Sequence, residues 1–225
     1  MSSPATSSSS DGAAARRPGG PADELRLTDL ARAGFLDLTA ARADIEELAT
    51  LLAASRAHVL HAFDRPVGAP DESLHALRRL AERGADAVAD LFADQGASRR
   101  LALVLGGSSG VADFLIRCPD ALAVLREPMS SPQGPESLAA TLLASVGAEG
   151  GVARLTGVPA RRALRISYRR ELTRLAAWDL EQPSGAAVFE RVAAALSDLA
   201  AAALGAALAV SRAEVSVSGL SLIHI

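Results

Sequence analysis

The 225-residue sequence contains no lysine and no asparagine, and all 23 of its basic residues are arginine. Because lysine and asparagine codons are rich in A, this absence indicates a GC-rich genome. Without lysine, the chain cannot form the lysine-containing P-loop that holds nucleotide phosphates. The single cysteine, Cys118, excludes an internal disulfide bond and fits a reducing cytosol, so we expect a cytoplasmic protein.

Aromatic residues make up only 3% of the chain, whereas hydrophobic residues make up 49% and consist mostly of alanine and leucine. Alanine and leucine favour helices, while aromatic and β-branched residues favour strands. The composition therefore predicts an all-α fold. Together with the helical patterns along the chain, it predicts an irregular helical bundle that ends in a long antiparallel αα-hairpin and follows a disordered N-terminus. The formal net charge of -3 gives no general attraction to nucleic acid, so we expect no nucleic-acid partner.

Long uncharged apolar runs are also missing. The most apolar segment, residues 192–210, carries Asp198 near its middle. A carboxylate at the centre of a membrane helix costs about 2.5 to 3.5 kcal/mol. We therefore expect an amphipathic helix of a soluble protein and no membrane association.

Shifts in composition divide the chain into segments. Residues 1–22 are rich in Ser, Ala, Gly and Pro and are expected to be disordered. A helical region is predicted over 23–127, and three prolines mark residues 128–137 as a linker. A second helical region is predicted over 138–215.

The second region contains two long helical patterns, at 159–181 and 186–214. The intervening Pro183-Ser184-Gly185 is so short that the two helices must lie antiparallel. Trp178, in the first of them, is interpreted as a core residue rather than a binding platform.

The C-terminal segment, residues 216–225, differs from the rest and is predicted to be non-native. Isoleucine occurs three times before this segment and twice in its last three residues. The letters LSLIHI are also the translation of a common transposase adapter used in library preparation. We therefore predict that residues 220–225 are adapter read-through and that the gene model is truncated.

A glycine- and serine-rich stretch, GGSSG, occupies residues 106–110. It matches neither the P-loop nor the Gly-x-Gly-x-x-Gly dinucleotide pattern. It predicts the end of one helix and the start of the next. Gly106 or Gly107 would adopt the left-handed conformation after the first helix, and Ser108 or Ser109 would cap the second.

Two sets of metal-ligand residue types occur at helical spacing. Asp86, Asp90 and Asp94 follow each other at four-residue intervals, but a metal site normally needs ligands from another element, so we interpret them as solvent-exposed. His58 and His61 lie three residues apart without a His-Glu-x-x-His pattern, so we predict no zinc site.

One predicted helix concentrates positive charge beside an apolar stripe. The functional interpretation is a surface that faces an anion or a partner, and the alternative is a solvated face whose arginine stems cover apolar surface. The stripe consists of Leu164, Tyr168, Leu172 and Leu175. The charged residues are Arg161, Arg162, Arg165, Arg169, Arg170 and Arg174.

Three phrases, in order, resemble a known family. Residues 101–125 contain a leucine-rich helix, Gly-x-Ser and Leu-x-Arg-x-Pro-Asp; residues 161–180 contain LRISYRRELTRLAAWDL; and residues 192–214 continue as an alanine-rich helix. This succession is similar to the bifunctional glutamine synthetase adenylyltransferase/adenylyl-removing enzymes of the actinobacterial type. The resemblance covers about residues 24–215.

The resemblance implies a large cytoplasmic enzyme that moves AMP from ATP to a glutamine synthetase tyrosine and removes it by phosphorolysis. It implies Mg²⁺ and ATP as cofactors of the whole enzyme, and glutamine synthetase and a nitrogen-signalling regulatory protein as partners. Family members hold metal with an Asp-x-Asp motif, which this sequence lacks. In the family, the first such motif follows the helix that ends here near Glu214.

The chain is therefore expected to be an N-terminal fragment that binds neither cofactor and contributes no catalytic residue. The alternative is a stand-alone helical module for protein interaction. A DNA-binding regulator is disfavoured because no recognition helix is evident and the chain is acidic.

Overall fold

The computed structural model describes residues 25–217, and this part of the chain contains helices and no strand. Nine α-helices and one 3-10 helix follow each other within residues 25–217. They are α1 (Leu27–Ala33), α2 (Leu38–Leu51), α3 (Arg56–His61), α4 (Pro70–Phe92), α5 (Gln95–Gly107), α6 (Ser109–Arg117), the 3-10 helix (Pro119–Leu125), α7 (Pro135–Ser145), α8 (Gly157–Glu181) and α9 (Gly185–Val217).

Short polar side chains start several of these helices by accepting backbone N–H groups that have no partner within the helix. Asp94 accepts the Ala97 N–H at the start of α5, with 2.6 Å between oxygen and nitrogen. At the start of α2 the N-cap is Asp37, which accepts from the N–H of Thr39 at 3.2 Å. Thr39 is therefore the second residue of α2 and not its N-cap, although threonine is also a residue type that caps helices.

The long helix α4 bends at Gly84, whose φ of -162° and ψ of 61° are not helical. A Cβ at Gly84 would lie 3.4 Å from the Cβ of Pro119, the first residue of the 3-10 helix. The bend thus lets α4 and the 3-10 helix approach closely.

The interior consists of two main hydrophobic clusters. The larger cluster is built from α1 to α6 and the 3-10 helix, together with Ala177 of α8. The second is built mainly from α7, α8 and α9. A small cluster around Trp178, which is 2% exposed, lies between α8 and α9 and includes Val188. Trp178 is therefore a core residue.

Helices α8 and α9 are separated only by residues 182–184 and pack against each other as the long hairpin of the predicted all-α fold. The prediction of an irregular helical bundle with this hairpin is confirmed. Helix α9 continues through Val217, two residues past the predicted end of the hairpin region.

Helix α7 begins at Pro135 after the N-cap residue Gly134, so the last three residues of the predicted linker 128–137 are helical. Proline is favoured in the first helical turn because it lacks the N–H that would have no partner there. The predictions of disorder in residues 1–22 and of adapter read-through in residues 220–225 lie outside the described residues.

Candidate functional site

The glycine-rich stretch joins α5 to α6, and its glycines allow close packing. Gly106 and Gly107 are the last two residues of α5, and neither has a positive φ, so the predicted left-handed conformation is wrong. A Cβ on Gly106 would overlap the Val67 side chain and lie 3.0 Å from the Ala69 carbonyl oxygen. Ser108 caps α6, as predicted. The stretch is therefore a junction between packed helices.

Helix α8 connects the two main clusters. Residues 164–172 of this helix pack in the second cluster through Leu164, Tyr168 and Leu172, three members of the predicted apolar stripe. Near its C-terminus, a Cβ on Gly107 would lie only 2.9 Å from Leu180 Cδ1, so α5 and α8 touch there. The orientation of α8 is thus set at both ends.

Arg100, on α5, is the buried side chain that fixes the C-terminal end of α8. It is 4% exposed and donates from Nε to the Leu125 carbonyl at 2.9 Å and from Nη2 to the Arg126 carbonyl at 2.6 Å. Its Nη1 lies 3.5 Å from Glu181 Oε1. Arg65 adds a bond of 3.1 Å from Nη2 to the Glu181 carbonyl. These bonds join α5, the 3-10 helix and α8.

The six arginines of the candidate site are all on α8 but differ in their surroundings. Arg169 donates from Nη1 to the Gly110 carbonyl of α6 at 3.0 Å. Three arginines at the N-terminal end of the set are exposed, and no hydrogen bond or ion pair connects them to other described residues. These three are Arg161, Arg162 and Arg165.

The remaining two arginines lie near a buried carboxylate. Glu171 is 7% exposed, and its Oε2 accepts from Gln133 Nε2 at 3.0 Å and from Arg174 Nη1 at 3.2 Å. Arg170 is partly buried, and its Nε is enclosed without a hydrogen-bond partner. Burial raises the pKa of the Glu171 carboxyl, and the positive charges of Arg174 and Arg170 oppose part of that rise.

Two grooves run along α8. One, of about 690 Å³, lies between α8, α7 and the 3-10 helix, and its charged lining residues are Asp120, Arg170, Glu171 and Arg174. It carries both signs of charge. Its charges therefore compensate one another within the groove.

The other groove, of about 420 Å³, lies between α6 and α8 and has only basic charged residues in its lining. These are Arg117 from α6 and three of the candidate arginines from α8. Apolar side chains and the thiol of Cys118 complete its wall. The full lining is Phe114, Arg117, Cys118, Arg162, Arg165, Ile166 and Arg169.

The structure thus brings three of the six predicted arginines to one groove and places Arg170 and Arg174 at the other. Sequence reasoning missed Arg117 and Phe114, because they lie on α6 and nothing in the local pattern indicates that α6 packs beside α8. The hydrogen bond from Arg169 to the Gly110 carbonyl could not be predicted for the same reason.

Asp86, Asp90 and Asp94 are all exposed, as predicted, and two of them have other contacts. Asp90 pairs with Arg126 at 3.1 Å, and Asp94 caps α5. His58 Nε2 lies 2.6 Å from the Phe92 carbonyl oxygen. Across residues 25–217, no three His, Cys, Asp or Glu side chains form a group that could hold a metal ion. Within this part of the chain, no such group is therefore present for the Mg²⁺ that the resemblance implies for the whole enzyme.

Helix α9 exposes an apolar stripe on the side that faces away from α7 and α8. Phe189 and Leu204 are 70% and 72% exposed. By length and composition alone, residues 185–216 could cross a membrane, which is weak evidence because core helices of soluble proteins also satisfy this criterion. The stripe consists of Phe189, Leu196, Leu204, Leu208 and Val215.

Comparison with known proteins gives a consistent set of relatives. Over 197 residues, or 88% of the chain, the sequence is 45% identical to the bifunctional glutamine synthetase adenylyltransferase/adenylyl-removing enzyme of Leifsonia xyli subsp. xyli. The chain is homologous to one segment of this enzyme family. Proteins of the same name from Cutibacterium acnes and Streptomyces coelicolor are each 34% identical, over 83% of the chain.

The matched segments are small parts of these relatives. The chain spans about a fifth of the length of the curated relatives it matches: 20% of the Leifsonia protein, 19% of the Cutibacterium protein and 18% of the Streptomyces protein. No protein-family model and no solved structure matches the chain. The family resemblance seen in the sequence motifs is thus confirmed.

Proposed function

We propose that this chain is a helical, noncatalytic part of a bifunctional enzyme that adenylylates glutamine synthetase and removes the adenylyl group, thereby regulating nitrogen assimilation. The observation that carries the proposal is the 45% identity over 88% of this chain to an enzyme of that name. Because the match extends across nearly all of the helical region, the homology concerns the whole bundle rather than one motif.

The proposed division of labour places catalysis in the other four fifths of the enzyme. Transfer of AMP from ATP requires metal ions that neutralise phosphate charge, and closely spaced carboxylates hold such ions. This sequence has no Asp-x-Asp, and the buried Glu171 is tied to Gln133 and Arg174. Binding of Mg²⁺ and ATP, and contact with glutamine synthetase and a nitrogen-signalling regulatory protein, are therefore functions proposed for the whole cytoplasmic enzyme.

The exposed stripe of α9 supports the same proposal. Large apolar side chains such as Phe189 and Leu204 lose favourable burial when they remain in water, and continuous patches of this kind usually mark interaction surfaces. The relatives are about five times as long as the matched segment, so ample chain exists to cover the stripe. We assign the stripe to contact with the remainder of the enzyme rather than to a membrane.

An exchange experiment tests the proposal. Residues 25–217 replace the matching segment of the Leifsonia enzyme, and transfer of radioactive adenylate from ATP to glutamine synthetase is measured with Mg²⁺ present. We expect the chimaera to retain activity and the 225-residue chain alone to label nothing. Labelling by the chain alone would contradict the noncatalytic role.

A second measurement separates the alternative of a stand-alone interaction module. The purified 225-residue chain is examined by sedimentation and by thermal unfolding. We expect self-association through the uncovered α9 stripe. A monomer with a sharp unfolding transition, together with a soluble but inactive chimaera, would overturn the proposal in favour of the module.

A further inference from the structure

We propose that the groove between α6 and α8 binds a small anion that carries phosphate groups. Four guanidinium groups line this groove of about 420 Å³: Arg117, Arg162, Arg165 and Arg169. The chain as a whole is acidic, with a formal net charge of -3, so this concentration of positive charge is local. The inference does not depend on the activity of the longer enzyme.

The positive charges in the groove are incompletely compensated. Arg117 pairs with Asp113 on its own helix at 3.3 Å, and both side chains are largely exposed. Arg169 is held by a carbonyl, which carries no net charge. Arg162 and Arg165 have no ion-pair partner among residues 25–217.

The arrangement of the arginines along α8 also favours an anion. Arg162, Arg165 and Arg169 are separated by three and four residues, so they lie on one face of the helix, where like charges repel. A multivalent anion in the groove would remove this repulsion. The bond from Arg169 to Gly110 holds one guanidinium in place before any ligand arrives, which reduces the entropy lost on binding.

The type of anion follows from the donors and the shape of the groove. The planar fork of a guanidinium donates two parallel hydrogen bonds to a phosphate, and arginine is enriched wherever phosphate is recognised in this way. The volume lies in the range of small-ligand sites. Phe114 and Ile166 provide an apolar wall beside the charges, so the groove has room for an organic group attached to the phosphates.

The sole thiol of the chain makes the groove directly observable. Cys118 is partly buried and lines the groove, so the rate at which a thiol reagent labels it reports on occupancy. Inorganic triphosphate is the probe, and its affinity is measured by calorimetry on the 225-residue chain. We expect triphosphate to slow labelling of Cys118 and to bind with an affinity that falls as salt concentration rises.

Substitutions locate the binding. Arg165→Ser removes an exposed guanidinium from the groove and should weaken triphosphate binding about tenfold, while circular dichroism stays unchanged. Arg165→Lys keeps the charge without the fork and should restore only part of the affinity. Arg161→Ser is the matched control, because Arg161 is exposed on the same helix but does not line the groove.

The outcomes are distinct. Equal effects of Arg161→Ser and Arg165→Ser would overturn the site, as would an unchanged rate of Cys118 labelling. Competition by polyglutamate as effective as that by triphosphate would overturn the assignment to phosphate. Tighter binding of ATP than of triphosphate would support the site and identify its ligand as a nucleotide. Equal binding would support the site and show that it recognises the polyphosphate group alone.

Discussion

Replacing Arg100 with methionine tests how α5 is joined to the 3-10 helix and to the end of α8. Methionine fills much of the space of the arginine stem but leaves the Leu125 and Arg126 carbonyls without their charged donor. A hydrogen bond to a charged group contributes about 1.5 to 3 kcal/mol, and Arg100→Met removes two such bonds. The Glu181 contact, at 3.5 Å and partly exposed, adds less. We expect Arg100→Met to lower the free energy of unfolding by about 3 to 5 kcal/mol.

Urea unfolding followed by circular dichroism measures this loss. Arg100→Lys keeps the charge but lacks the planar fork that reaches both carbonyls. Its free energy of unfolding should therefore lie between those of the unmodified protein and Arg100→Met. Arg79→Met is the matched control, because Arg79 is an exposed residue of α4 and its replacement should change stability by less than about 0.5 kcal/mol. A loss below about 1 kcal/mol for Arg100→Met would refute the argument that Arg100 joins α5 to the end of the 3-10 helix.

Three further predictions concern other parts of the structure. Gly106→Ala should lower the free energy of unfolding by about 1 to 3 kcal/mol in urea because the new Cβ meets a backbone carbonyl. Gly205→Ala is the control: it lies in open space within α9 and should raise the free energy of unfolding by about 0.4 to 1 kcal/mol. Equal effects of the two substitutions would contradict the close packing at Gly106. Burial raises the folded-state pKa of Glu171, so the folded protein loses stability as the pH rises through that pKa and the buried carboxyl loses its proton. Glu171→Gln should therefore gain stability relative to the unmodified protein from about pH 4.3 upward. A difference in unfolding free energy between the two proteins that does not change with pH would contradict this. Leu204→Ser combined with Leu208→Ser should reduce self-association in sedimentation without altering helicity, and unchanged self-association would contradict the role assigned to the α9 stripe.

The helices themselves could be predicted because their signals are local. The apolar stripe through Leu164 and Tyr168 repeats at helical spacing, and the short Pro-Ser-Gly turn before α9 leaves only an antiparallel arrangement. Helix starts were less certain, since both Asp37 and Thr39 are residue types that cap helices, and only the backbone conformation decides between them.

Features that depend on distant parts of the chain could not be predicted. Gly106 is a glycine because Val67 and Ala69, almost forty residues earlier, pack against it, and the local pattern of two glycines before serine is equally typical of a left-handed helix end. The local sequence around Arg100 does not distinguish it from a surface arginine. Its burial becomes evident only when the fold places the end of the 3-10 helix beside it. Long-range packing, rather than propensity, decides both positions.

Arginine content alone says little about function in this chain, because arginine replaces lysine everywhere. The placement of arginine says more. Some arginines lie beside acidic side chains: Arg78 lies 3.2 Å from Asp44, and Arg126 lies 3.1 Å from Asp90. Others, such as the exposed Arg79 and Arg161, have no ion-pair partner among residues 25–217, so an unpaired arginine alone does not indicate a site. Arg162 and Arg165 differ because they share one groove with two further arginines and no acidic residue lines it. This convergence points to a requirement of the α6–α8 groove itself, which lysine would satisfy only in part.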